Sequence, residues 1–238
     1  MEEKQTGLVL GSINFSENDK ILNIFTLEKG VVCAKIKGVK KAGAKLKFAA
    51  EPFCFAEYVF SKSGDKRTVI GASLIDSFYP VRENIQKYFC ASTIVEFIKH
   101  FYKEEIVDEG EFLLAIDTLK KVAYSDNHLS ALVNFLIFAL KNFGYQLSLL
   151  DCFQCNDKLD GRIFFDYRIG AFLCENCTND VAREINCDTL SALQKAESGN
   201  LTDDFTGTKK ALRLLDFYIT NRAEEKLNAL KELNKMCL

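Results

Sequence analysis

Apolar and polar positions alternate through the first third of the chain. Gln5-Thr-Gly-Leu-Val-Leu-Gly-Ser-Ile-Asn-Phe15 reads as a strand, Ser16-Glu-Asn-Asp19 as a polar turn and Lys20-Ile-Leu-Asn-Ile-Phe-Thr-Leu27 as a second strand. After the turn Glu28-Lys-Gly30, the segment Val31-Val-Cys-Ala-Lys-Ile-Lys37 supplies a third, and short turns between the three predict a meander. Pro52 to Phe60 and Arg67 to Phe78, separated by the turn Ser61-Lys-Ser-Gly-Asp65, add two more. Five strands with no intervening helix predict a small closed barrel of OB type, because closure removes exposed sheet edges. The pattern does not fix the strand order.

At Pro80 the period changes, since proline suits the first turn of a helix and is awkward inside a strand. Ile85, Tyr88, Phe89, Val95, Ile98 and Phe101 make one apolar face, and Asp108 with Glu111 resembles a capping box ahead of Phe112, Ile116 and Leu119. The clearest helical run is Leu129, Leu132, Val133, Leu136, Ile137, Leu140, Phe143 and Leu147, with Gly144 near its end. Helical patterning resumes at Asp188 to Glu197, Lys209 to Ile219 and Ala223 to Leu233. The expected class is α+β: an OB barrel over residues 1–79, then a helical domain over 80–149 and 181–238, with a module inserted at 150–180.

That module carries the chemistry most specific in its spacing. Cys152-Phe-Gln-Cys155 and Cys174-Glu-Asn-Cys177 are separated by eighteen residues, the arrangement in which two tight turns place four thiolates tetrahedrally on one ion. Between them Arg162-Ile-Phe-Phe-Asp-Tyr-Arg168, entered at Gly161 and left at Gly170, reads as part of a small hairpin. Four protein ligands leave no position for a reacting water, so the expected role of the ion, Zn2+, is structural. Spacing leaves a rubredoxin-like iron site open. A redox CxxC needs only one pair, and here the first pair runs into the turn-rich Asn156-Asp157-Lys158-Leu159-Asp160-Gly161. Cys33, Cys54, Cys90, Cys187 and Cys237 have no pairing pattern and are expected to be reduced, buried small hydrophobes.

Charge is unevenly distributed. Between Lys29 and Ala50 lie seven lysines (29, 35, 37, 40, 41, 45 and 47) and no acid, which leaves the rest of a chain of net charge −2 at −9. A local positive field on an acidic protein is the footprint of a polyanion site. Lys35, Lys37, Lys40, Lys41, Lys45 and Lys47 are the candidate phosphate contacts, on a loop where Gly38, Ala42, Gly43 and Ala44 leave little bulk. The competing reading is a solubilising lysine loop. Phe15, Phe25, Phe48, Phe53, Phe55, Tyr58 and Phe60 are aromatics that could stack bases; most must fill the barrel, and Phe48, beside Lys47, stands out.

Other chemistry is thin. His100 and His128 lie far apart near helix ends, and Thr206-Gly-Thr-Lys-Lys210 lacks the glycine loop of a nucleotide site. No Ser-His-Asp order, carboxylate pair or dinucleotide motif supports an enzyme. The chain has neither a secretory leader pattern nor an uncharged stretch long enough for a membrane span, so a cytoplasmic, nucleoid-associated protein is expected.

Taken together, these segments resemble the RecO family of bacterial recombination mediators. The resemblance is carried by Val9-Leu-Gly11, by Asp19-Lys-Ile-Leu-Asn-Ile-Phe-Thr26 with Gly30 after it, by Ile36-Lys-Gly-Val-Lys-Lys41 and by Glu51-Pro-Phe53. Further on it rests on Phe143-Gly-Tyr-Gln-Leu147 leading into Leu150-Asp-Cys152, the cysteine quartet and Leu212-Arg-Leu-Leu215. It implies an N-terminal OB fold, a helical domain with a zinc module and no catalytic site. It also implies binding to single- and double-stranded DNA, strand annealing, recombinase loading, and partnership with a RecR-like mediator and the C-terminal tail of single-stranded DNA-binding protein. The family's basic segment falls on Lys35, Lys37, Lys40 and Lys41. Two positions depart from the family's pattern: Asn156 stands where glycine is common, and a glycine pair is reduced to Gly170-Ala171. A zinc-stabilised adaptor without DNA binding, or a coloured iron electron carrier, would be the alternatives.

Overall fold

Alternate side chains of a strand point to opposite faces, and in the first five strands one of those faces is almost wholly apolar. In the computed structural model, which describes residues 2–103, 106–202 and 205–236, that alternation closes into a barrel. Its strands are β1 (Glu2–Asn14), β2 (Lys20–Thr26), β3 (Gly30–Ile36), β4 (Phe55–Ser63) and β5 (Lys66–Asp76), in the order β1-β2-β3-β5-β4. The OB-type barrel expected from the pattern is therefore present.

Closure depends on β1 serving two neighbours. Residues 2–8 pair antiparallel with β4 and residues 7–14 with β2. The last seam is a short parallel pairing of β3 with β5, where Lys35 faces Thr68 and Ile36 faces Val69. Where β1 belongs to both partners stands Gly7, and a Cβ there would lie 2.5 Å from Cγ2 of Ile24. A register shift between Val9 and Gly11 bends the strand beyond this point.

The barrel is filled by residues such as Val9, Leu22, Ile24, Ile36, Tyr58 and Phe60. Val39, Ala49 and Ala50, from the connection between β3 and β4, belong to the same core. The Tyr58 hydroxyl donates to the Ala49 carbonyl at 3.1 Å. The lysine-rich connection is thus pinned by small apolar side chains and one buried hydrogen bond.

The chain divides into two compact units, Met1–Asn84 with Val95–Lys120, and Ile85–Ile94 with Lys121–Leu238. The division falls inside two helices, α1 (Ile85–Phe101) and α2 (Glu109–Tyr124). In the first unit Asp108 caps α2, its Oδ1 accepting the Glu111 N–H at 3.0 Å. Glu111 itself is buried; loss of solvent raises its carboxyl pKa, and a hydrogen bond from Tyr102 works the other way. Phe112 follows, its ring centroid 5.3 Å from that of Phe25.

The second unit holds α3 (His128–Asn142), α4 (Cys187–Glu197), α5 (Phe205–Tyr218) and α6 (Asn228–Met236). It also holds a three-stranded sheet of β6 (Ile163–Asp166), β7 (Ala171–Cys174) and β8 (Arg183–Ile185), in the order β7-β6-β8. Twelve of the fifteen residues of α3 are buried, so this helix is the unit's centre. It ends earlier than the apolar period predicts. Gly144 takes φ +80, and the N–H groups of Gly144 and Tyr145 donate to Lys141 and Leu140 in a Schellman closure. Leu147 is buried beyond the helix.

Two other expectations need correction. The third strand of the sheet lies past residue 180, where the insert was expected to end. The last helix begins at Asn228, not Ala223, because Ile219–Ala223 forms a single π turn and Glu224 then adopts φ +59. Thr206-Gly-Thr-Lys-Lys210 lies in the opening turns of α5, where Gly207 answers a packing need: a Cβ there would stand 2.6 Å from the Asp188 carbonyl of α4. Among the unpatterned cysteines Cys54 and Cys90 are buried as expected; Cys33 and Cys187 are exposed, and Cys237 lies outside the described residues. His100 is exposed at the end of α1, and His128, buried at the start of α3, meets the Asp126 carbonyl through Nδ1 at 3.0 Å. No described helix is long and apolar enough to cross a membrane.

Candidate nucleic-acid interface and metal centre

Seven ammonium groups in one stretch repel each other, so a loop that carries them needs an anchor. Beyond the apolar pins, backbone turns supply it: Lys41 N–H donates to Gly38, Ala44 to Lys41, Lys47 to Ala44 and Ala50 to Lys47. Gly38 has φ +66, which lets the chain leave β3 sharply. Along these turns Lys37, Lys40, Lys41, Lys45 and Lys47 are all exposed. Among the described residues none of the five has a carboxylate within ion-pair distance.

Lys35 differs. Its Nζ lies 2.8 Å from Oδ2 of Asp19 and 4.5 Å from the centroid of the Phe15 ring. Asp19 also accepts the Gly38 N–H at 2.9 Å. Its carboxyl is held down at about 2, first by the Lys35 side chain and then by the Gly38 amide. The turn between β1 and β2 is therefore tied to the start of the basic loop. Lys29, the other paired lysine of the run, meets Glu3 at 2.8 Å.

The barrel aromatics sort into two groups: Tyr58 and Phe60 fill the barrel, whereas Phe25 and Phe55 are buried against aromatics that follow it, Phe112 above all. Phe25, Phe53, Phe55, Tyr58 and Phe60 are buried, and Phe48, which stood out beside Lys47, is half-buried against the core. Phe15 is the exposed one. The neighbouring lysine pointed to Phe48 instead, but Phe48 opens the short 3-10 turn Phe48–Ala50 that packs on the core, so the expectation is corrected in favour of Phe15.

In the second unit the cysteine quartet converges. The four Sγ atoms of Cys152, Cys155, Cys174 and Cys177 lie within 4.8 Å of one another. Cys155 and Cys174 are 3.8 Å apart, which matches the edge of a tetrahedron with metal–sulfur bonds of about 2.3 Å. The Cys174 N–H donates to Cys152 Sγ at 3.4 Å. Burial opposes ionisation of Cys152 and is the largest single influence on it. The amides of Cys155, Cys174 and Gln154 together outweigh burial and bring this thiol down to about 6. Cys187 is not part of the cluster.

Asp166, at the end of β6, is buried and accepts from the Arg168 guanidinium at 3.0 Å and from Asn179 at 3.0 Å. Asn179 in turn accepts the N–H groups of Val181 and Ala182. These bonds fix the loop that leads from the second CxxC into β8. A hydrogen bond to a buried charge contributes about 1.5–3 kcal/mol, more than the exposed Arg162 contacts to Glu175 and Glu184.

The family model described as Recombination protein O N terminal matches residues 1–78, and the one described as Recombination protein O C terminal matches residues 82–231. The chain belongs to the RecO family. Curated relatives include the DNA repair protein RecO of Caldicellulosiruptor saccharolyticus, 26% identical over 190 residues, covering 80% of this chain and 78% of that protein. The DNA repair protein RecO of Mesoplasma florum is 27% identical over 203 residues, covering 83% and 75%. That of Pelotomaculum thermopropionicum is 28% identical over 193 residues, covering 80% and 75%.

The two departures from the RecO pattern are accommodated locally. Asn156 adopts φ +60 at the turn closing the first CxxC, a conformation asparagine tolerates better than most residues. Of the pair Gly170-Ala171 only Gly170 has a positive φ, +67, and its Cα faces the Tyr218 hydroxyl with no room for a side chain; Ala171 opens β7 in extended form.

Because the Asp19 pKa is depressed from 3.8 to about 2, the stability its ion pair contributes is present above pH 4 and is lost as pH falls towards 2. Asp19→Asn should melt below the parent at pH 7, and the gap should narrow between pH 4 and 2. A gap independent of pH would show that the carboxylate does not anchor the loop.

Proposed function

We propose that the protein is a non-catalytic DNA-binding recombination mediator that binds single- and double-stranded DNA, lowers the repulsion between two backbones and promotes their annealing and recombinase loading. The observation that supports this reading best is the display of Lys37, Lys40, Lys41, Lys45 and Lys47 on a pinned loop that carries no acidic residue of its own. Point charges of this kind contact phosphates without reading bases. Lys35 contributes mainly by holding Asp19 and Phe15 in place. With about four phosphate contacts, log affinity for single-stranded DNA should fall with log salt at a slope of about −3. Substituting Lys37, Lys40 and Lys41 by alanine should bring the slope to about −1 in anisotropy titrations. An unchanged slope would reject these contacts, and salt-insensitive behaviour of the parent would favour a protein-only adaptor.

The quartet fits structural Zn2+: four thiolates, no carboxylate or histidine, and spacing of tetrahedral size. Zinc bound by Cys152, Cys155, Cys174 and Cys177 would join the turn before β6 to the end of β7. Elemental analysis should find one zinc per chain, and Cys174→Ser should remove it. A coloured, iron-loaded protein would overturn the assignment.

The same reading includes a RecR-like partner, the C-terminal tail of single-stranded DNA-binding protein and a cytoplasmic, nucleoid-associated setting. A cavity of about 410 Å³ formed by β8, α4 and α5 would suit a peptide that carries both acidic and apolar side chains, and we favour it for that tail. Phe165, Leu214 and Phe217 give it an apolar lining, and Arg183, Lys210 and Arg213 give it positive charge. Its one acid, Glu184, is engaged by Arg162 at 2.7 Å. Arg213→Glu should weaken a fluorescent tail peptide at least tenfold; unchanged affinity would remove the tail from this cavity.

A further inference from the structure

We propose that Phe15 is a base-stacking residue, so that the outer wall of β1, β2 and β3 takes an unpaired nucleotide strand. This rests on the DNA-binding reading above and adds to it a subsite that distinguishes single strands from duplex.

The strand register defines the wall. Ile13 lies opposite Ile21, and Ile21 opposite Lys35; in the neighbouring row Gly11 lies opposite Asn23, and Asn23 opposite Cys33. Leu22, Ile24, Ala34 and Ile36 point into the core, so the alternating residues of these two rows point out. Ile13 is 65% exposed and Phe15 56%, so both offer apolar surface to a ligand on this side of the barrel.

Phe15 is also held in place. Its N–H donates to the Asp19 carbonyl at 3.1 Å, and Lys35 Nζ stands 4.5 Å from the ring centroid while bonded to the Asp19 carboxylate. The ring therefore does not have to be ordered on binding, which is what a stacking platform requires. Beside it is a groove of about 480 Å³ lined by Ser16, Glu17, Asn18, Asp19, Lys37, Gly38 and Lys41. Lys37 and Lys41 are exposed there, and Asp19 is neutralised by Lys35 and the Gly38 amide. A base on the ring would thus leave its flanking phosphates near the Lys37 and Lys41 ammonium groups, with the exposed Glu17 carboxylate as the one opposing charge in the groove. In a duplex the bases are already stacked, and the ring finds no free face.

The test compares the full chain with Phe15→Ala and Phe15→Tyr in anisotropy titrations of single-stranded and duplex oligonucleotides of equal length, with melting curves as the folding control. Stacking contributes about 1–3 kcal/mol per base, so Phe15→Ala should weaken single-strand binding by about fivefold or more. Duplex affinity and the salt slope should stay within twofold, since no charge is removed. Phe15→Tyr should bind like the parent, and a 2-aminopurine strand should be quenched by the parent but not by Phe15→Ala. Equal losses on both substrates, or none on the single strand, would overturn the stacking role while the lysine substitutions still flattened the slope. Absence of DNA binding by the parent would instead sink the reading beneath it.

Discussion

The arrangement of the first unit depends on how a run of like charges is kept on one small barrel. Lysine side chains are flexible and strongly hydrated, and left alone they would drive their loop away from itself. The chain solves this by fixing the backbone within and just after the run: Val39 and the half-buried Leu46 stand between lysines, and Ala49 and Ala50 follow the last of them, all packed on the barrel core. Apolar burial acts on the backbone while the charges stay in water. One carboxylate, Asp19, completes the attachment from the opposite strand connection, and it binds the backbone as well as a lysine.

The second unit faces a different constraint. Its three short strands bury little on their own, and a sheet of this size is marginal without further ties. Two sets of ties converge on it. The cysteine turns gather β7 and the segment before β6, and Asp166 with Asn179 gathers the passage into β8.

Much of this was legible because burial imposes a period. The five strands and the core of α3 follow from alternation and helical spacing, and the quartet follows from its two CxxC pairs. Where reading failed, two signals conflicted or one was missing. Leu147 kept the apolar rhythm going past the Gly144 cap, and Leu227 with Leu230 kept it across a break set by the left-handed Glu224. Arg183–Ile185 is too short and polar to announce a strand. Asp19 was visible only as part of a polar turn; that it would reach Lys35 and Gly38 depends on the β1–β2–β3 meander being folded. The neighbouring Lys47 favoured Phe48 as sequence, but Phe48 packs half-buried against the barrel core and Phe15 is the one that meets solvent.

The double service of β1 also has a kinetic side. Its beginning cannot find its partner until the far end of β4 exists, because Glu2 pairs with Ser61. During synthesis the first strands can form their hairpins, but the barrel must stay open until more than sixty residues have left the ribosome. For that interval the row of hydrogen-bonding groups on residues 2–8 is an unsatisfied edge, and Glu2, Glu3 and Lys4 put charge there, a common guard against mispairing with another nascent chain.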